Sequence, residues 1–457
     1  MKHKKYIAIA LTALLTFGSA QTALAAVIYH DLKDMTSDVV IDKDGDEHIF
    51  TNENNITVNY SIIVEEGVAT HIVLQGVTIE TTDKSGISIG SNADVSLELD
   101  GTNSITVNTE SYDTAKAGIN VADGKLTIKG GEYDSLDVKV IDNGYPSYYA
   151  DGAAIGSDED EDFTGTIIIE GGNITAVSEY GAGIGSGLNS EMSGKITISG
   201  GEVTASSNNN GAGIGAGDFG DITESGSITI GGDADVTVSS YEGLGIGSGD
   251  YGNMNGTITI TDDAKVDITL GYTLNKTGIG AGEISDDVFN GRINILEHAN
   301  VELKYENATD KTPAIGSTNQ QSTGEITLST GATINGVSGS DPEALKGLGI
   351  IYETSNVSIV EPTPETVDSR NTYSLKQLNL VQRINEAEGG EVVAVSEEQL
   401  SKGKLPAYAL EALAKKENVT LAILCEKFDI LIPSEDAVDD AGSTQFYTID
   451  ELVEMYE

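Results

Sequence analysis

The chain has one cysteine, Cys425, no tryptophan and only 7 prolines among its 457 residues. A lone thiol excludes an internal disulfide framework and every multi-cysteine zinc or iron-sulfur centre. Basic residues are also scarce: 25 Lys plus Arg stand against 73 Asp plus Glu, a formal charge of -48. Affinity for nucleic acid comes from Lys and Arg displacing counterions from phosphates, so no polynucleotide partner is expected. Long apolar runs are missing too. The longest, Ile7 to Phe17, covers about 11 residues, short of the roughly 20 that a membrane-spanning helix needs, so the mature chain is expected to have no transmembrane segment. What is abundant is glycine, 54 residues, beside 39% hydrophobic types. That is enough apolar material for a core, and it disfavours both collagen and plain disorder.

The short apolar run follows Lys2, Lys4 and Lys5 and ends in Ala23-Leu24-Ala25. This is the pattern of a secretory signal over residues 1–25, with cleavage expected after Ala25. An exported protein follows, secreted or held at the cell surface. Its acidic surface reads either as a self-repelling solvated coat or as one partly neutralised by calcium.

Self-similarity decides the fold. Gly-Ala-Gly-Ile-Gly-Ser-Gly at 181–187 recurs at 211–217 and 243–249, and more loosely around Ile155, Ile279 and Ile315. The central isoleucines Ile155, Ile184, Ile214, Ile246, Ile279 and Ile315 are 29 to 36 residues apart. Between them a second phrase recurs, as in Ile196, Ile198 and Val203, or Ile258, Ile260 and Val266. Apolar residues at alternate positions share one face of a strand, whereas a helix needs spacings of three and four. Gly171-Gly172, Gly200-Gly201 and Gly231-Gly232 allow a turn within each unit. Identical facing in unit after unit predicts coils stacked in parallel, so the fold class is all-β, a right-handed parallel β-helix with coils of about 30 residues. Thr197, Thr229 and Thr259 are expected to face outward.

Less regular alternating runs, from Ile62 to Ile128, extend the solenoid over 26–360. The segment 361–372, with Glu361-Pro362-Thr363-Pro364-Glu365, reads as a stiff linker. From 373 to 457 the texture is that of a small α+β module. Leu375, Leu378, Val381 and Ile384 have helical spacing, a second helix begins near Pro406, Val419–Cys425 and Phe428–Ile432 form a strand pair, and Ile449–Met455 is a terminal helix.

The Gly-Ala-Gly-Ile-Gly-Ser-Gly repeats, followed by Gly-x-Ile-Thr-Ile-x-Gly-Gly-x-Val-Thr-Ala as at 194–205, resemble a group of exported Gram-positive bacterial surface proteins with carbohydrate-binding β-helices. The stretches 72–79, 97–103 and 124–131 are similar to that group's opening coils, and 405–421 to a module often found at the end of such proteins. The resemblance implies polysaccharide or cell-surface glycan as partner, or a link to β-helix polysaccharide lyases. It transfers no catalytic residue.

Among the residues themselves, Gly-x-Gly-x-Gly recurs and lacks a following helix, so it reads as turn and packing glycine rather than a dinucleotide fingerprint. Asp158-Glu159-Asp160-Glu161-Asp162 is either a solvated loop or a calcium site through Asp158, Asp160 and Asp162. Asp42, Asp44, Asp46 and Glu53 match positions 1, 3, 5 and 12 of a calcium loop. An Asp44-Gly45 hairpin turn between β-branched flanks explains the same residues without a metal. With no Trp, sugar stacking falls to tyrosines. Tyr145, Tyr148 and Tyr149, flanked by Asp142 and Asp151, form the expected carbohydrate contact in a loop that departs from the repeat. Asp262-Asp263 and Asp286-Asp287 are poor acid/base pairs, because strand neighbours face opposite ways. The histidines His30, His48, His71 and His298 are scattered in sequence, and Cys425 lies in an apolar strand as a small core residue. The function expected is a non-enzymatic carbohydrate-binding or adhesive surface protein. A calcium-dependent polysaccharide lyase and a ligand-free spacer are the alternatives.

Overall fold

The computed structural model describes residues 26–456 apart from 111–114, 143–150, 272–276, 283–286, 307–313, 318, 320, 353–355 and 363–379, and short stretches beyond 380 (381–382, 385–386, 388, 397–399, 401–403, 426–428 and 438–445). Three long sheets of 12, 10 and 10 strands run the length of the first part, their strands pairing in parallel with counterparts one coil away except for Val337–Ser338, which turns back antiparallel on Thr333–Ile334 at the end of the third. This is a parallel β-helix, with strands from Val27 to Val360.

The repeated isoleucines are the reason. Ile155, Ile184, Ile214, Ile246, Ile279 and Ile315 lie in register in the second sheet. Ile169, Ile198, Ile230, Ile260, Ile295 and Leu328 do so in the first. Ile174, Val203, Val236, Val266, Val301 and Ile334 complete the third. All are buried in one continuous core. Each column gains from contact above and below, which is why a single coil would not hold its shape alone.

The second glycine of each Gly-Ile-Gly segment is required by close approach. Gly185 and Gly215 have φ near +140°, and a Cβ on Gly185 would lie 1.8 Å from the Gly215 carbonyl oxygen. Coil size is not uniform. Bonds between neighbouring coils span 20 residues from Ala26 to Asp46 and 25 from Ala69 to Asp44, but 29 to 35 in the regular region. The opening coils are therefore shorter than the period of about 30 read from the central repeats.

Both ends of the core are closed by short elements. At the start, the 3-10 turn Leu32–Asp34 buries Leu32. At the other end, helix Pro342–Gly347 is capped by Asp341, whose Oδ1 accepts from Ala344 N at 3.0 Å, and it buries Leu345.

The C-terminal segment has its own core, formed by Leu380, Ile384, Val395, Leu410, Leu413, Leu421, Ile432 and Leu452 among others. Helix Ala407–Ala414, the antiparallel pair Thr420–Leu424 with Asp429–Pro433, and helix Ile449–Tyr456 match the sequence reading. Strand Val392–Ser396, parallel to Thr420–Leu424, and the pair Lys404–Pro406 with Phe446–Thr448 add to it. Half-buried Cys425 packs at the edge of this core, just past the strand.

Candidate functional site

Of the expected sugar-contact loop, Tyr145, Tyr148 and Tyr149 lie outside the described residues. The backbone of Asp142 ends strand Ser135–Asp142, paired with Thr109. Asp151 is fully buried, and its Oδ2 accepts from Tyr180 N at 3.2 Å. A carboxylate used inside the coil is not available to a sugar at the surface, so Asp151 is a structural residue rather than a contact.

The acidic segment after Ile155 is spread over several neighbours instead of converging. Asp158 is buried; its Oδ1 accepts from Ala117 N at 2.8 Å and its Oδ2 pairs with Lys116 at 2.7 Å. Glu159 accepts from Ala115 N, Glu161 from the Asn120 amide, and Asp162 from Glu191 N at 2.9 Å in the next coil. Asp160 is exposed in a left-handed turn. These carboxylates relieve their mutual repulsion through backbone N–H groups and Lys116. Among the described residues no group of three or more His, Cys, Asp or Glu is placed to hold a metal ion.

The Asp42–Glu53 segment is not a calcium loop either. Strand Glu47–Thr51 runs through it, separating Glu53 from the three aspartates. Asp44 Oδ1 accepts from Ala69 N at 2.8 Å and Asp46 Oδ1 from Ala26 N at 2.9 Å, so both tie neighbouring coils together. Nor is Asp44-Gly45 a hairpin turn: strands Val39–Ile41 and Glu47–Thr51 belong to different sheets, and Gly45 forms a coil corner at φ +79°.

Three of the histidines scattered in sequence, His30, His48 and His71, are brought onto neighbouring coils. His30 Nε2 lies 3.0 Å from His48 Nδ1, and His30 stacks on Phe50 with centroids 4.5 Å apart. Burial holds both imidazoles below their ordinary pKa, with the neighbouring His48 adding to the effect on His30. His71 sits outward between two carboxylates, 3.2 Å from Glu47 and 3.1 Å from Glu98. The Glu98 hydrogen bond holds its pKa above the ordinary value, and Glu98 is lowered in return. Lys129 and Glu170 extend this charged row at 3.7 Å. With both ring nitrogens engaged and a raised pKa, His71 is suited to holding a charge, not to taking a proton from a substrate.

The pKa of Asp262 is pushed up, by burial first and then by Glu297 and Asp263; its Oδ2 accepts from Gly232 N at 2.7 Å. Asp286 lies outside the described residues and Asp287 is buried.

Sequence reasoning missed one group on the corner after each Gly-Ile-Gly segment. Phe219 and Tyr251, both about half exposed, stack there with centroids 4.9 Å apart and planes 15° apart. The available signal was the repeated tetrapeptide Gly217-Asp218-Phe219-Gly220 and Gly249-Asp250-Tyr251-Gly252. Comparison with protein-family models, with curated proteins and with solved structures returned no match for this chain.

Proposed function

We propose that the chain is an exported, non-enzymatic carbohydrate-binding or adhesive protein that presents a rigid β-helix at or beyond the cell surface. The observation that carries this reading is the outward face of the first sheet. There Thr197, Thr229, Thr259, Asn294, Thr327 and Ser358 stand in register, one per coil. Side chains bridge successive coils, as from Asn294 to Thr259 at 3.2 Å and from Ser358 to Thr327 at 3.2 Å. A surface that repeats polar donors and acceptors over six successive coils suits a ligand that also repeats, and weak contacts add through multivalency. Polysaccharide is the repeating polar polymer compatible with so acidic a chain, since a nucleic acid would be repelled. The basic, apolar and small-residue order at residues 1–25 supports export. No helix among the described residues is long and apolar enough to cross a membrane.

A glycan array run with calcium and again with chelator tests the reading. Retention of unmodified glycan is the expected result. New ultraviolet-absorbing unsaturated ends would identify a lyase instead, and retention of no glycan would leave a spacer.

A further inference from the structure

The coil corner after Gly-Ile-Gly holds side chains that its backbone disfavours. Asp160, Asn189, Phe219 and Tyr251 occupy the same step of four successive coils, at φ 56°, 58°, 61° and 63°. Their equivalence is fixed by bonds from Asp160 N to Leu188 O, Asn189 N to Asp218 O and Phe219 N to Asp250 O, at 3.0, 2.9 and 2.9 Å. Asp and Asn visit this left-handed region readily, because their short polar side chains bond locally; for other residues it costs roughly 1–2 kcal/mol. A bulky aromatic there is an outlier that asks for a reason.

Packing does not supply one. Phe219 is 52% exposed and Tyr251 47%. Their mutual stacking is worth about 0.5–1.5 kcal/mol, short of the roughly 2–4 kcal/mol of strain in two such residues. Asn189 makes the same turn one coil earlier without that strain. Exposed strain of this kind points to a ligand.

We propose that Phe219 and Tyr251 form the platform on which an uncharged polysaccharide stacks, deepening the carbohydrate-binding reading on which it rests. At Asn189 the stack gives way to a shorter side chain, so no third ring continues it on that side. A pyranose laid against Phe219 takes the place of the missing ring and puts its apolar C–H face on the aromatic face, while its hydroxyls meet the exposed Asn189 and Asp160. The next row on the same corner consists of Asp162, Glu191, Asp221 and Asn253, and Asn253 Nδ2 lies 3.2 Å from Asp221. These carboxylates accept bonds from neutral hydroxyls and repel uronates and sulfates, which adds selection against charged polymers.

The test is affinity electrophoresis of the full chain through gels containing soluble mixed-linkage glucan, galactomannan, arabinoxylan or alginate. The chain is expected to be retarded by at least one neutral polymer and not by alginate. Phe219→Asn with Tyr251→Asn, which installs the side chain already tolerated at Asn189, is expected to weaken that retention about tenfold or more with the melting temperature unlowered. Equal retention of the double variant by the same polymer would place the site elsewhere and overturn the proposal. So would stronger retention by alginate, or a melting temperature lowered by several degrees, which would make the rings packing residues. Retention by none of the polymers would overturn the carbohydrate reading itself.

Discussion

Thr197 and Ile198 are adjacent, yet Ile198 is fully buried between Ile169 and Ile230 while Thr197 faces outward between Ile168 and Thr229. Ile198→Asp places an unpaired charge in the core column and is expected to lower stability on the order of 5 kcal/mol. Thr197→Asp is expected to change it by about 0.5 kcal/mol. Denaturant unfolding of the two variants checks the inward assignment; equal midpoints would refute it. Gly215→Ala meets both a φ of +140° and a contact of 1.9 Å from its Cβ to the Gly247 carbonyl oxygen. A loss of at least about 1–3 kcal/mol is expected in the same assay. These positions were readable in the sequence because alternation and period together fix which way each side chain points. The corner of Phe219 and Tyr251 was not, because left-handed backbone has no hydropathy signature, and two rings 32 positions apart become neighbours only once the coil length is known.

At the scale of single coils, two histidine groups respond to pH with opposite sign. His30 and His48 are held neutral by burial, with folded pKa values below 6.5. The unfolded chain therefore takes up protons first as pH falls, and the opening coils lose stability below about pH 6.5. His71 is raised by Glu98, so its contribution is complete below about pH 6.5 and disappears as pH rises through its higher folded value. Hydrogen exchange of strands Val27–Asp31 and Glu47–Thr51 between about pH 5 and 8 reads both effects. His48→Leu, in the column of Ile28 and Ile72, is expected to shrink the acid-side loss. His71→Gln is expected to flatten the alkaline side. A pH profile that neither substitution alters would remove both assignments. The coil bearing Asp158 gives a parallel case. Asp158→Asn is expected to cost about 1–2 kcal/mol through the lost Lys116 pair, and Asp160→Asn about 0.5 or less. Melting with calcium or chelator is expected to give the same midpoint, because these carboxylates serve separate backbone groups. A calcium-dependent rise would show that they can be drawn together. In sequence the five acids looked like one cluster. The corner at 158–162 separates them onto different neighbours, and that separation depends on coil geometry, which composition does not carry.

Among the described residues there are two hydrophobic cores with no residue in common, one running from Leu32 to Ile351 and the other from Leu380 to Leu452. Their cooperativity should differ. A solenoid is stabilised by contacts between successive coils, so damage to one column propagates along it. The C-terminal core is small, with Leu421 and Ile432 fully buried where its antiparallel strands pair. In calorimetry of the full chain, two transitions are therefore expected, not one all-or-none event. Ile198→Asp should lower the solenoid transition and leave the other in place. Leu421→Asp should do the reverse, abolishing the smaller transition by burying a charge in the C-terminal core. Because each variant is measured in the intact chain, it serves as an internal control for the other. One transition that both substitutions lower equally would show that the two cores unfold as a single body.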